Sequence, residues 1–160
     1  MFYGIAITSV TALFTLASAY GEANLKAPNK IDGRYRLAPT EAPSCLPTEA
    51  LLLVQQSGVY LTGSLLRLDA AESEIQKALE RPSLTGQWQN GQWDLQGALR
   101  PLPHCEGTIR LRGTVEGVVE RGTVKEAHLN GTISLSVLPS ETRFTAQMLA
   151  VQPVAQPQGH

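Results

Sequence analysis

Charged and chemically reactive residues are scarce in this chain. Lysine, arginine, aspartate and glutamate make up 17% of its 160 residues, and the formal net charge is only -1. Nothing in that balance predicts a nucleic-acid partner. The histidines His104, His128 and His160 share no metal-ligand spacing, so we expect no metal and no other cofactor. Because no Ser–His–carboxylate set and no glycine-rich phosphate loop is recognisable, we expect no enzyme activity.

Cysteine occurs only twice, at Cys45 and Cys105. Two cysteines are too few for a structural zinc site. A redox pair is one alternative, but an even pair in an exported chain favours a single disulfide that ties two proline-containing loops together. Closing a loop of about 60 residues would stabilise the fold by ~4 kcal/mol on chain-entropy grounds.

Long hydrophobic runs are also lacking, with one exception at the N-terminus. Residues Phe2 to Tyr20 carry no charge, and Ala17-Ser18-Ala19 has the small-x-small form of a signal cleavage site. No Lys or Arg precedes the run, and its length also suits an uncleaved membrane anchor or a buried helix. We interpret residues 1–20 as a signal peptide or membrane anchor. The protein is then extracytoplasmic, in a periplasm or a thylakoid lumen, with a linker at residues 21–32.

The tripeptide Leu-x-Gly is present five times, ending at Gly63, Gly86, Gly97, Gly113 and Gly131. Each copy lies in a segment that alternates apolar and polar residues, so the Leu and the Gly share one face of a strand. Glycine within a strand typically marks a bend, a bulge or a close approach. Five glycines on the apolar face predict a sheet that curls around its own core.

The clearest hairpin signal is Asn90-Gly91, the preferred type I′ turn. It pairs Trp88 with Trp93 on the inner face. These two tryptophans are the candidate ligand-binding residues if the protein carries a small apolar molecule, although core packing is the favoured interpretation. Gly86-Gln87-Trp88 resembles the Gly-x-Trp element of lipocalin and avidin-type barrels, which we attribute to convergence of barrel sequences.

Two further hairpins are predicted from their turn residues. Ser57-Gly58 indicates a two-residue turn, and Glu120-Arg121-Gly122 indicates a three-residue loop with Gly in the left-handed position. The second register sets Gly113 against Leu129, so each glycine would face a leucine. The inner face of this long hairpin would be Ile109, Leu111, Gly113, Val115, Ala127, Leu129, Gly131, Ile133, Leu135 and Val137.

One segment has a helical pattern. Asp69-Ala70-Ala71-Glu72 resembles a capping box, apolar residues follow at helical spacing, and Pro82 ends the run. A short helix over residues 70–81 is expected. We therefore predict an all-β domain at residues 33–150, an up-and-down barrel of about eight antiparallel strands with one short helix. A curved sandwich is the alternative, and residues 151–160 are expected to be a disordered tail.

Polar residues on the outer face of the long hairpin are the candidate partner-binding surface. They are Arg110, Arg112, His128 and Asn130, which the predicted register places on adjacent strands. A barrel filled by Leu–Gly pairs leaves no room for a drug-sized ligand, so binding is expected outside. The expected function is a non-catalytic extracytoplasmic interaction module that docks to a membrane protein; the alternative is a lipocalin-like carrier of a small apolar ligand.

Four segments resemble the extracytoplasmic N-terminal extension of some cyanobacterial Kef-type cation:proton antiporters. They are Leu25-Lys26-Ala27-Pro28, Ile31-Asp32-Gly33-Arg34-Tyr35, Val54-Gln55-Gln56-Ser57-Gly58-Val59-Tyr60 and Phe144-Thr145-Ala146-Gln147. The resemblance implies an accessory module fused ahead of a transport domain, and hence an antiporter as the membrane partner. After Tyr20 no segment is suited to cross a membrane, so this chain alone would not move ions.

Overall fold

A computed structural model describes residues 2–24, 28–42, 44–99, 107–120, 123–138 and 140–149 of the chain. The elements in order are α1 (Phe2–Asn24), β1 (Gly33–Pro39), β2 (Ala50–Ser57), β3 (Tyr60–Arg67), α2 (Glu72–Glu80), β4 (Leu84–Gln89), β5 (Gln92–Ala98), β6 (Thr108–Glu120), β7 (Thr123–Leu135) and β8 (Thr142–Met148). Each strand pairs antiparallel with the next, and β8 pairs with β1. The predicted eight-stranded up-and-down barrel is thus confirmed, and the sandwich alternative is wrong.

The β4–β5 hairpin has the predicted register. Asn90 and Gly91 have φ of 51° and 77°, as a type I′ turn requires, and Trp88 pairs with Trp93. The β2–β3 turn lies one residue later than predicted, at Gly58-Val59, because Ser57 pairs with Tyr60. Gly58, with φ of 62°, takes the first central position of the turn, where a type II′ turn requires glycine.

The long β6–β7 hairpin differs from its predicted register. Glu120 pairs with Thr123 and so belongs to a strand, while Arg121 and Gly122 lie outside the described residues. An irregularity between Glu116 and Val118 then changes the register. As a result Gly113 faces Gly131, and its predicted pairing with Leu129 is wrong.

The change in the long hairpin amounts to two residues, so a side chain on the regular part of either strand keeps its predicted face. Ile109, Leu111, Leu129 and Ile133 are buried as predicted. Val137 is the exception: β7 ends at Leu135, and the Val137 side chain is 58% exposed in the turn that follows.

Strand β2 is buried on both faces. Leu52 and Val54 pack inside the barrel, whereas Leu51 and Leu53 pack outside it against Ile75 of α2. A strand covered on both faces needs a continuous apolar run, which residues 50–54 (Ala-Leu-Leu-Leu-Val) provide.

The cap of α2 lies two residues beyond the predicted one. Ala71 precedes the helix, and its N–H donates to Glu74 Oε2 at 3.2 Å. Asp69 lies three residues before the helix begins, and its carboxylate pairs with Arg67 at 2.7 Å. Glu72 instead accepts two hydrogen bonds from the Arg34 guanidinium, at 2.7 and 3.1 Å, which tie the start of α2 to β1.

The five Leu-x-Gly glycines allow close backbone approach. An ideal Cβ at any of them would lie 1.7 to 2.6 Å from a carbonyl oxygen across the sheet. Two of them also form the floor of an aromatic contact: Trp93, Gly113, Gly131 and Phe144 pair in one row across four strands. The Trp93 and Phe144 rings meet edge to face over this floor, with centroids 5.9 Å apart. Large side chains on neighbouring strands therefore occupy the space that the glycines leave.

Candidate functional site

Asp94 is the centre of an ionic cluster on the outer face of β5 and β6. It lies directly opposite Arg112 and diagonally opposite Arg110. Arg110 Nη2 approaches Asp94 Oδ2 at 2.5 Å and Arg112 Nη2 approaches the same oxygen at 3.3 Å. One carboxylate thus serves two guanidinium groups, so these three residues carry one surplus positive charge, and the Glu141 carboxylate adds a negative charge near Arg110. Both arginine side chains are about half exposed, so the excess charge is available to a partner.

The protonation of Asp94 reflects this arrangement. Partial burial favours the neutral acid, but the hydrogen bond and charge of Arg110, with those of Arg112, outweigh it and lower the pKa below its ordinary value. The Arg110 pKa is raised, first by its hydrogen bond to Asp94. The carboxylate is therefore ionised at neutral pH and holds both arginines in place along the sheet.

The other two predicted surface residues lie further along the barrel. His128 is opposite Glu116 on β6 and Gln147 on β8, and Asn130 is opposite Thr114 and Thr145. The observed register brings Thr132 and Ser134, and not His128 or Asn130, beside the two arginines. Asp94 was missed in the sequence because its meeting with Arg110 depends on the β5–β6 register, which no local turn signal reveals.

The two tryptophans have unequal environments. Trp93 is fully buried, and its Nε1 donates to the Thr114 carbonyl at 3.3 Å. Trp88 is partly buried against the barrel core, and its Nε1 is buried without a hydrogen-bond partner among the described residues. Two clefts stand out in the described part of the chain, and neither is lined by a tryptophan.

The first cleft, of about 890 Å³, lies between α2 and the ends of β3 and β4. The second, of about 640 Å³, borders Thr85, Gln96, Arg110 and Ser134 on the sheet that carries the ionic cluster. Cys45 is disulfide-bonded, while its predicted partner Cys105 lies outside the described residues. Within the described ranges, no group of three or more His, Cys, Asp or Glu residues is arranged to hold a metal.

The N-terminal helix is exposed from Tyr3 to Tyr20. Residues Tyr3–Gly21 are long and apolar enough to cross a membrane, a test that a signal sequence also passes. The hydroxyl groups of Thr8, Ser9, Thr11 and Thr15 donate to carbonyls within the helix, those of Thr8 and Thr11 at 2.7 and 2.8 Å. Such internal bonds lower the cost of placing hydroxyls in a lipid environment.

The fold and surfaces define a closed, eight-stranded antiparallel β-barrel with an apolar N-terminal helix and a polar outer face. No protein-family model, curated protein or solved structure matches the chain. The resemblance to antiporter extensions stays a prediction.

Proposed function

We propose that the chain is a non-catalytic extracytoplasmic module that docks to a membrane protein through the outer face of its barrel. The observation that carries this proposal is the packing of the interior. Leu95, Leu111, Leu129 and Phe144 are at most 1% exposed, and the aromatic pair closes over the Gly113–Gly131 floor. Because side chains fill the interior of the barrel, we expect a partner to bind on its outer surface.

The Asp94–Arg110–Arg112 cluster is the part of that face with the best chemistry for a partner. Its surplus positive charge suits an acidic protein surface, and arginine contacts are common at the centres of interfaces. The modest net charge of the whole chain argues against general attraction to an acidic membrane. The helix α1 would keep the barrel close to the bilayer, and the resemblance described above favours a cation:proton antiporter as the partner.

The test is affinity capture from detergent-solubilised membranes of the native source. We expect Arg110→Ser/Arg112→Ser to fold normally and to lose at least about tenfold in capture, since two charged contacts of roughly 1 kcal/mol each are removed. Asp94→Asn keeps both arginines but removes the carboxylate that positions them, so it should reduce capture less than the double variant does. Arg36→Ser is the matched control, because Arg36 is also half exposed and pairs with a single carboxylate, Glu49, at 2.6 Å. Equal capture by the double variant and the control would contradict the proposal.

A second candidate, a carrier of a small apolar ligand, is favoured by one observation. The unpartnered Nε1 of Trp88 is a buried donor that a ligand atom would satisfy. The chain has only two tryptophans, so energy transfer to an apolar fluorescent probe, N-phenyl-1-naphthylamine, reports directly on their surroundings. A carrier would show saturable quenching at one probe per chain, weakened by Trp88→Phe; quenching that does not saturate contradicts a carrier.

A further inference from the structure

The cleft beside α2 results from a step in the barrel wall. Strand β3 continues to Arg67, but its pairing with β4 ends where Gly63 meets Leu84. The chain between the two strands crosses through α2, which packs on the outside of β2 and β3. The last residues of β3 therefore have no β4 residue beside them, and the resulting space of about 890 Å³ is walled by the helix. Its volume is that of a small-molecule site.

The helix presents one face to this cleft, at positions i, i+3, i+4 and i+7: Glu74, Lys77, Ala78 and Arg81. The acidic groups of the cleft are already engaged. Glu74 accepts from the Ala71 N–H at the start of the helix, and the Asp69 carboxylate is neutralised by Arg67.

The two cations that the helix presents to the cleft have no such partners. Neither Lys77 nor Arg81 forms an ion pair with another described residue, and both are exposed. The cleft thus has two unpaired cations, Lys77 and Arg81, and one unpaired anion, Glu74, whose charge is not neutralised by its hydrogen bond from the Ala71 N–H, so the surplus charge is positive.

The remaining lining is apolar except for two serines. The apolar part consists of Leu66, Ala70, Ala78, Pro82 and Ala98. Ser64 Oγ is fully used, since it donates to the Ala78 carbonyl and accepts from the Ser83 N–H, each at 3.2 Å.

Ser83 Oγ is buried and has no partner among the described residues. A buried hydroxyl without a partner is unfavourable, and an acceptor on a ligand would correct it.

We propose that this cleft binds a small amphiphilic carboxylate. Its head group is held by Lys77 and Arg81, whose geometries suit carboxylate oxygens, and it accepts a hydrogen bond from Ser83 Oγ. Its short hydrocarbon part lies along the apolar lining. The site is independent of the Asp94 cluster, which lies on β5 and β6, so it stands or fails separately from the docking function.

The test uses the full chain in phosphatidylcholine nanodiscs, with amide chemical shifts followed during titration with hexanoate. We expect saturable shifts at Lys77, Arg81 and Ser83. Acetate has the same head group without the tail, and hexylammonium has the tail with the opposite charge; each should bind at least tenfold more weakly. Inorganic phosphate, an anion without an apolar part, should also bind at least tenfold more weakly.

The variants separate the contributions. Lys77→Gln/Arg81→Gln alters exposed side chains only and should weaken hexanoate binding at least tenfold, and Ser83→Ala should weaken it severalfold. Arg36→Ser, remote from the cleft, should bind as the unaltered chain does. Absence of saturable shifts, equal binding of hexylammonium or phosphate, or an unchanged affinity of the double variant would each overturn the assignment.

Discussion

Gly86 shows why the Leu-x-Gly motif is required at the level of single residues. A Cβ at this position would lie 1.7 Å from the Asp94 carbonyl oxygen and 3.0 Å from Leu95 Cα. Backbone atoms of a paired strand have little freedom to move away, so the strands would separate. Gly113 is similar, but its Cβ would meet the Asn130 carbonyl at 2.2 Å, and not Leu129 as the predicted register required.

We expect Gly86→Ala to destabilise the barrel by about 3 kcal/mol, the upper end of ordinary overpacking. The measurement is the urea unfolding midpoint by circular dichroism. Gly91→Asn is the control: Gly91 has φ of 77° and open space around it, and asparagine tolerates that conformation. Its effect should stay within about 0.5 kcal/mol. A Gly86→Ala protein with an unchanged midpoint would contradict the close approach.

At the scale of elements, α2 is held on the barrel by the apolar packing of Ile75 and, at its first turn, by the Arg34–Glu72 ion pair. The Arg34 hydrogen bond lowers the pKa of Glu72, and Gln76 Nε2 contributes a second hydrogen bond at 3.2 Å. When the folded state lowers the pKa of a carboxylate, the ionised carboxylate stabilises the fold at pH values above the pKa that it has in the unfolded chain. The stabilisation is lost as the pH falls through the lowered value.

Acid should therefore loosen α2 before the barrel unfolds. We expect hydrogen-exchange protection of the α2 amides to fall between neutral pH and about pH 3, after correction for intrinsic exchange rates. In Glu72→Gln this fall should be smaller, because the carboxylate that pairs with Arg34 is removed while Glu74 remains. Glu49→Gln breaks a comparable pair on another part of the surface and should behave like the unaltered chain. An identical acid response in Glu72→Gln would rule out this role for the pair.

Features that the sequence predicts are determined by residues close together in the chain, whereas the features it does not predict depend on residues far apart in the chain. The register of β4–β5 follows from Asn90-Gly91, because a type I′ turn fixes pairing locally. The register of β6–β7 depends on an irregularity next to Glu116, for which the alternating pattern gives no warning. The Asp94 cluster and the cleft depend on which strands and helices lie side by side, so the sequence predicted Arg110 and Arg112 but not their shared carboxylate.

One long-range feature did leave a local signal. The continuous apolar run at residues 50–54 is longer than a strand with one wet face needs. It indicates a cover on the outer face, which α2 supplies through Ile75.

At the scale of the whole molecule, the two ends of the barrel are unequal. Strands β6 and β7 have 13 residues each. The pairing of β5 with β6 ends at Trp93–Gly113, and that of β8 with β7 ends at His128–Gln147. Beyond these two pairs, β6 and β7 continue to pair with each other and form an overhang. This overhang is at the end where β1 begins, and hence where the chain arrives from α1. Eight residues separate Asn24 from Gly33, and the nine Cα–Cα steps between these two span at most about 32 Å when extended. If α1 stays in a membrane, as proposed above, this end of the barrel is the one tethered to it, and we expect a membrane partner to contact the barrel there.

If the barrel is extracytoplasmic, as we propose, its disulfide should persist in the isolated protein. Cys45 is bonded in the structure and lies in the loop between β1 and β2, beside the buried Leu46. We expect protein alkylated at isolation to give a non-reduced peptide joining Cys45 to Cys105 by mass spectrometry, since oxidising compartments preserve such bonds. Reduction should lower the free energy of unfolding by ~4 kcal/mol, because the unfolded chain regains the freedom of a loop of about 60 residues. Two alkylated thiols in freshly isolated protein would contradict the assignment of compartment.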